Sequence, residues 1–196
     1  SIAGDVVPRR IFSFNQLRND VFNKYSMELA EAGAIEKISQ SEWMDQRSII
    51  IKPSRSAIEV RVMDEQECIK SDVALSCFIR SAVRGLIEIN CHPSHNVLVN
   101  DYNSIVTNGL AAKVLHPQGK TARDVCKYFL RIATEYASKD EKKYLWVVKK
   151  RIDEGNLSEI IRSRVIDKSK KTCQEDAILS IYLQLGKALL KNQPYF

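Results

Sequence analysis

Apolar residues return at every fourth position across the first clear segment, Leu17, Val21, Tyr25 and Leu29, and Gly33 follows. That spacing predicts a helix over Phe14–Ala32 with one buried stripe and a glycine stop. The period then changes. Ser48–Lys52 is a β-branched run closed by Pro53, and Ala57–Met63 alternates Ile58, Val60 and Val62 with Glu59, Arg61 and Met63. Two such runs joined by the short link Pro53–Ser56 predict an antiparallel hairpin.

Beyond a polar loop at Asp64–Lys70 the helical period returns. Ser71 is placed to cap a helix running to about Glu88. Ala74, Phe78, Ala82 and Leu86 form one ridge, and Leu75, Ile79, Val83 and Ile87 form the next. Only the strip Ser76–Arg80–Arg84 stays polar, which predicts a largely buried helix laid across the sheet. Cys91–Asn96 reads as a loop, Val97–Asn108 fits no single period, and Gly109 is a helix stop. Ala111–Leu115 reads as a short strand. Thr121–Ala137 is a helix with Val125, Phe129, Ile132 and Tyr136 on one face, and Thr121 with Asp124 resembles a capping box. Helices follow at about Lys139–Glu154, Leu157–Ile166 and Gln174–Lys191.

This order predicts an α+β fold: a partial antiparallel sheet packed by helices, with a helical C-terminal part. The expected division is residues 1–167 as one domain and 168–196 as a helical extension. Ile178, Ile181, Leu185 and Leu189 form a stripe on the last helix. It is expected to pack on the chain's own core, with docking on a partner or a second copy as the alternative.

Composition narrows the function classes. No apolar run in the 196 residues approaches the ~20 needed to span a bilayer, so no membrane role is expected. The five cysteines are odd in number and irregular in spacing, which suits free thiols in a reducing, cytoplasmic compartment. Cys77 and Cys126 fall on apolar helix faces as small hydrophobes. The net charge of +6 comes mostly from Lys139–Arg151 and Lys168–Lys171. Asp140 and Glu141 interrupt the first stretch and no aromatic platform accompanies either, so they read as solvated helix faces and not as a nucleic-acid surface. The first residue is Ser1, as expected of a processed product or a fragment of something longer.

One strand stands out chemically. Glu59 and Arg61, two apart, share a face and lie ~6.6 Å apart along it. A carboxylate there can ligate Mg²⁺, and a guanidinium can hold phosphate or carboxylate oxygens with two parallel hydrogen bonds. Spacing alone favours a simpler reading, a cross-strand ion pair on a solvated sheet face. Cys91-His92-Pro93-Ser94-His95 lacks a standard zinc spacing and reads as a polar loop. Gly119-Lys120-Thr121 looks like the tail of a phosphate loop, but Val114 stands where that loop needs glycine, and capping by Thr121 explains it better. There is no dinucleotide fingerprint and no nucleophile elbow.

The segment Ala57-Ile58-Glu59-Val60-Arg61-Val62-Met63-Asp64, with the polar loop and helix after it, resembles the second half of the glutamate–cysteine ligase and carboxylate–amine ligase family, whose fold is glutamine-synthetase-like. The likeness runs over Trp43–Ile166, through Gly109-Leu110-Ala111-Ala112 and the turn Pro117-Gln118-Gly119. It implies that Glu59 is a Mg²⁺ ligand in the nucleotide site and that Arg61 is catalytic, touching phosphate or the reacting carboxylate. Either Arg47, in Trp43-Met44-Asp45-Gln46-Arg47, or Lys52, in Lys52-Pro53, holds the family's Arg-Pro position as a further nucleotide contact. The implied cofactors are ATP and Mg²⁺, and the implied chemistry joins the γ-carboxyl of glutamate to an amine, commonly cysteine, through an acyl phosphate, as in glutathione biosynthesis. Two departures accompany the likeness. Ser104 and Thr107 stand where the family carries basic residues, and family enzymes are much longer, so a missing N-terminal half or a complementary chain is expected as partner. The alternative is a non-catalytic interaction or oligomerisation domain that keeps the ligase-like core.

Overall fold

The structure, a computed structural model, describes residues 6–34 and 47–196. It divides into two compact units, Ser1–Asp64 and Glu65–Phe196. The fold is α+β, with a two-stranded antiparallel sheet in the first unit and a helical C-terminal part.

The first unit opens with α1 (Phe14–Leu17), a π-helical stretch (Arg18–Asn23) and α2 (Lys24–Glu31). Ser13 caps the start, its Oγ accepting the Gln16 N–H at 3.1 Å. Leu17, Val21, Tyr25 and Leu29 are all buried, as the sequence pattern requires. The π stretch explains how. A repeat of four exceeds the 3.6 residues of an α-helical turn, so a straight helix would rotate the stripe by ~40° at each step. The wider π turn absorbs that drift. Gly33, at φ +78°, ends the helix.

The hairpin forms where the period-two pattern puts it. Strands β1 (Ile49–Lys52) and β2 (Ala57–Val60) pair antiparallel, Ile49 opposite Val60, Ile50 opposite Glu59, Ile51 opposite Ile58 and Lys52 opposite Ala57. A 3₁₀ turn at Pro53–Arg55 and Ser56 at φ +47° make the link. Two expectations need correcting. The second strand ends at Val60 and not at Met63, because β1 begins at Ile49 and offers only the bent Ser48 beyond it; Arg61 N–H still reaches the Ser48 carbonyl at 2.8 Å. The face expected inside is also largely outside, with Ile58 64% and Val62 55% exposed. The run Ile49-Ile50-Ile51 is apolar on both faces, and it supplies the covered residues. Ile50 is fully buried, and Ile51 packs on the Leu17–Val21–Tyr25 cluster.

The second unit is built on α3 (Ile69–Ile89), which packs against α5 (Ala122–Tyr136) and α7 (Leu145–Glu154). The helix begins before Ser71. Asp72 Oδ1 accepts the Gln66 N–H at 3.0 Å, and Ser71 turns inward instead of capping. Its buried face is made of small residues, Ser71, Ala74, Ser81, Ala82 and Gly85. A Cβ on Gly85 would stand 2.2 Å from Ile132 Cγ2 and 2.7 Å from Tyr136 Cδ2, so the glycine sets how closely α5 approaches. The second ridge is only partly covered, since Val83 and Ile87 are exposed.

Ser94 caps α4 (His95–Asn108), which takes in the end of the expected Cys91–Asn96 loop, and Gly109 at φ +57° closes it. Ala111–Leu115 is not a strand but a 3₁₀ turn (Gly109–Ala111) and a single bridge, Lys113 to Thr121. Thr121 and Asp124 form a full capping box on α5. The helix expected over Lys139–Glu154 is two, α6 (Lys139–Lys142) and α7. Beyond them lie α8 (Leu157–Ser169) and α9 (Gln174–Lys191). On α9, Ile181 and Leu185 pack with Ile160 of α8, while Ile178 and Leu189 are exposed. Leu179, Tyr182, Leu183 and Leu190 (87%) leave the opposite side of α9 apolar and exposed.

The Lys-rich stretches carry local surface pairs, Lys143–Asp140 at 2.7 Å, Lys149–Asp153 at 2.5 Å and Lys170–Asp167 at 2.6 Å. All five cysteines are free thiols, and burial pushes those of Cys77 and Cys126 above the usual range. Among the described residues no helix is long and apolar enough to cross a membrane.

Candidate functional site

The hairpin register puts three charged side chains on one face. Glu59 and Arg61 are two apart, and Lys52 lies diagonally across from Glu59 because it stands opposite Ala57. Arg61 Nε donates to Glu59 Oε1 at 2.7 Å, and Lys52 Nζ pairs with Glu59 Oε2. Both carboxylate oxygens therefore face cations. The bonds from Lys52 and then Arg61 hold the Glu59 carboxyl down at about 2, so it is ionised at any working pH.

Arg47 is elsewhere in the same unit. It is 5% exposed and lines a cavity of about 440 Å³. Arg9, Arg10 and Lys24 also line it, against Asp20 and Glu28, so basic groups outnumber acidic ones. Lys52, Glu59 and Arg61 are not among its lining residues. The backbone nevertheless ties the two places together. Ser48 N–H donates to the Val6 carbonyl at 2.8 Å, and the Ser48 carbonyl accepts from Arg61 N–H. Trp43, Met44, Asp45 and Gln46 of the resemblance motif lie outside the described residues.

Magnesium prefers six oxygen ligands in octahedral array and commonly takes one or two carboxylates. Among the described residues of the hairpin Glu59 is the one carboxylate on this face, and both its oxygens are engaged by cations. Among the described residues no group of three or more His, Cys, Asp or Glu could hold a metal ion. The described residues do not by themselves fit Mg²⁺. An oxyanion suits the face better, since Lys52 and Arg61 offer ammonium and guanidinium donors side by side.

Other polar side chains of the helical unit make structural bonds. Ser104 Oγ donates to the Lys113 carbonyl at 2.8 Å, and Thr107 bonds back to the Asn103 carbonyl at 3.2 Å. Asp101 accepts the Leu115 N–H at 2.6 Å, so α4 pins the loop leading to Pro117-Gln118-Gly119. His116 Nδ1 accepts the Gln118 N–H, and burial holds this imidazole below its usual pKa. Arg80 and Arg84 both pair with the buried Glu141, at 2.8 and 3.1 Å.

Sequence reasoning missed one buried cluster. Glu67 Oε1 accepts from Ser71 Oγ at 2.9 Å, Arg151 Nη2 at 2.8 Å and the Tyr195 N–H at 2.9 Å. Three distant segments meet there. Nothing in a polar loop and a Lys-rich helix marks those two charges as partners.

Comparison with known proteins places the chain in a family. No solved structure matches the chain. An uncharacterized protein of Archaeoglobus fulgidus is 36% identical over 194 residues, covering 99% of this chain and 48% of its own length. The chain thus spans about half the length of the curated relative it matches. The sequence model of Glutamate-cysteine ligase family 2 matches residues 10–182, a span that includes the hairpin, the cavity residues from Arg10 onward and most of the helical unit. By that match the chain belongs to glutamate–cysteine ligase family 2.

Proposed function

We propose that this chain supplies one wall of the active site of an ATP-dependent carboxylate–amine ligase, joining the γ-carboxyl of glutamate to an amine such as that of cysteine. The observation that carries the reading is the hairpin face, where Lys52 and Arg61 flank an ionised Glu59 in a chain of this family. In the reaction a substrate carboxylate oxygen attacks the γ-phosphorus of ATP, ADP leaves, and an acyl phosphate forms. The amine nitrogen then attacks the acyl carbon and inorganic phosphate leaves. Both steps gather negative charge on phosphoryl oxygens, where fixed cationic donors lower the barrier most. Arg61 is the residue assigned to the reacting oxyanion. Lys52, and Arg47 in its basic cavity, are assigned to phosphate or substrate carboxylate. Glu59 would serve as one metal ligand only where the other half of a family-length chain adds the rest. A cytoplasmic location belongs to the same proposal. Hydroxylamine tests the chemistry, because it captures an acyl phosphate as a hydroxamate. A family-length enzyme given glutamate, ATP and Mg²⁺ should form γ-glutamyl hydroxamate, and Arg61→Ala should abolish it. Full hydroxamate yield from Arg61→Ala would remove Arg61 from the chemistry.

A second reading, an oligomerisation domain on a ligase-like core, is favoured by the exposed α9 face at Leu179, Tyr182, Leu183 and Leu190. Its occupant would be a second copy. Glu175 and Asp176 stand in the first turn of α9 and Lys191 in the last. An antiparallel pair therefore sets the acidic turn of each copy against the basic turn of the other. Light scattering should show a dimer that Leu183→Glu converts to a monomer; a wild-type monomer at high concentration would dismiss this reading.

A further inference from the structure

We infer that Lys52 fills the cation position at Glu59, so that a divalent metal and the Lys52 ammonium exclude one another there and the hairpin face as built receives oxyanions. This rests on the reading of the face as part of a ligase site and deepens it. The register carries the argument. Ala57, opposite Lys52, is small, so the lysine stem can lie across the strand pair toward Glu59. Its head pairs with Oε2, while Arg61 holds Oε1. The Lys52 side chain is only 17% exposed, well below the level of a freely solvated lysine. Three charges sum to +1. A divalent ion brought to Glu59 would stand beside two cations and compete with both for one carboxylate. A phosphate or carboxylate oxygen meets two donors instead.

The test uses the full 196-residue chain and no turnover, so loss of ligase activity elsewhere leaves its outcome untouched. Amide spectra are recorded during titration with Mn²⁺ alone, a broadening probe for the Mg²⁺ position. Lys52→Met and the shorter, polar Lys52→Gln should reach a given broadening of the Glu59 and Arg61 amides at about fivefold lower Mn²⁺ than wild type, and adding Glu59→Gln should cancel the gain. Unchanged Ile50 and Val60 amides show that the hairpin persists in each variant. Equal broadening in wild type and both lysine variants overturns the inference. In a second arm, pyrophosphate without metal should shift the hairpin amides of wild type saturably and leave those of Lys52→Met unmoved. A shift that requires added Mg²⁺ overturns it as well.

Discussion

Replacing Glu67 by alanine removes the acceptor of the Ser71, Arg151 and Tyr195 hydrogen bonds and of the weaker Cys68 thiol contact, and leaves the Arg151 guanidinium buried without its carboxylate. Burial already pushes the Arg151 pKa down against the attraction of Glu67, so the cation sits where solvent helps it little. Glu67 and Arg151 have side chains 1% and 11% exposed, which places the pair with buried salt bridges and not with surface ones. Breaking such a pair from one side costs about 3–5 kcal/mol. The orphaned Ser71 hydroxyl and Tyr195 N–H each add a contribution of about 1 kcal/mol that overlaps with it. The expected loss is therefore about 4 kcal/mol, a large part of the ~5–15 kcal/mol that stabilises a typical domain. Arg151→Met should cost a comparable amount, because Glu67 is then the buried orphan. The double variant Glu67→Ala/Arg151→Met removes both charges and should lose less stability than the sum of the singles, by a coupling energy of about 2 kcal/mol or more. Urea unfolding followed by far-ultraviolet circular dichroism reads the helical unit directly. Single variants that lose less than 1 kcal/mol, or a double variant that is simply additive, would refute the claim that this pair ties the two helices and the Tyr195 segment together.

Gly85→Ala should destabilise by about 1–3 kcal/mol, the range for overpacking a tight core, because its Cβ would overlap Ile132 and Tyr136; a neutral urea midpoint would show that α5 can move away freely. Glu59 and Glu141 both titrate at about 2 in the folded chain, Glu59 through Lys52 and Arg61, Glu141 through the Ser138 backbone N–H and then Arg80 and Arg84. Their ordinary value is 4.5. Their stabilising share is thus present above pH about 4.5 and lost as pH falls from there toward 2. Glu141→Gln should flatten the fall in the urea midpoint over that window, and an unchanged slope would argue that Glu141 does not set it.

Elements with a strong local period were legible in the sequence. The Leu17–Leu29 stripe, the hairpin and α9 all follow from spacing, and Thr121 with Asp124 announced the α5 cap. Which face of the hairpin is covered was not legible. The β2 pattern assigns Ile58 and Val62 inward, yet three isoleucines in β1 can serve either face, and only the pairing decides which are used. The start of α3 was misread because Ser71 is a good cap by type, whereas Asp72 does the local bonding and Ser71 serves Glu67. In the site, Glu59 and Arg61 could be paired from strand geometry alone. The pairing of Lys52 with Glu59 depends on the turn length, which fixes register and cannot be read from side-chain type.

The central claim is that the Lys52–Glu59–Arg61 face handles the phosphoryl oxyanions of an ATP-dependent ligation. The most direct measurement is glutamate- and cysteine-dependent ADP release by the family-length enzyme, comparing wild type with Lys52→Met and Arg61→Ala. The account predicts that each substitution lowers kcat by about 10²-fold or more, the scale seen when a fixed electrostatic contact to a developing charge is removed. Turnover that survives unchanged in both would contradict it.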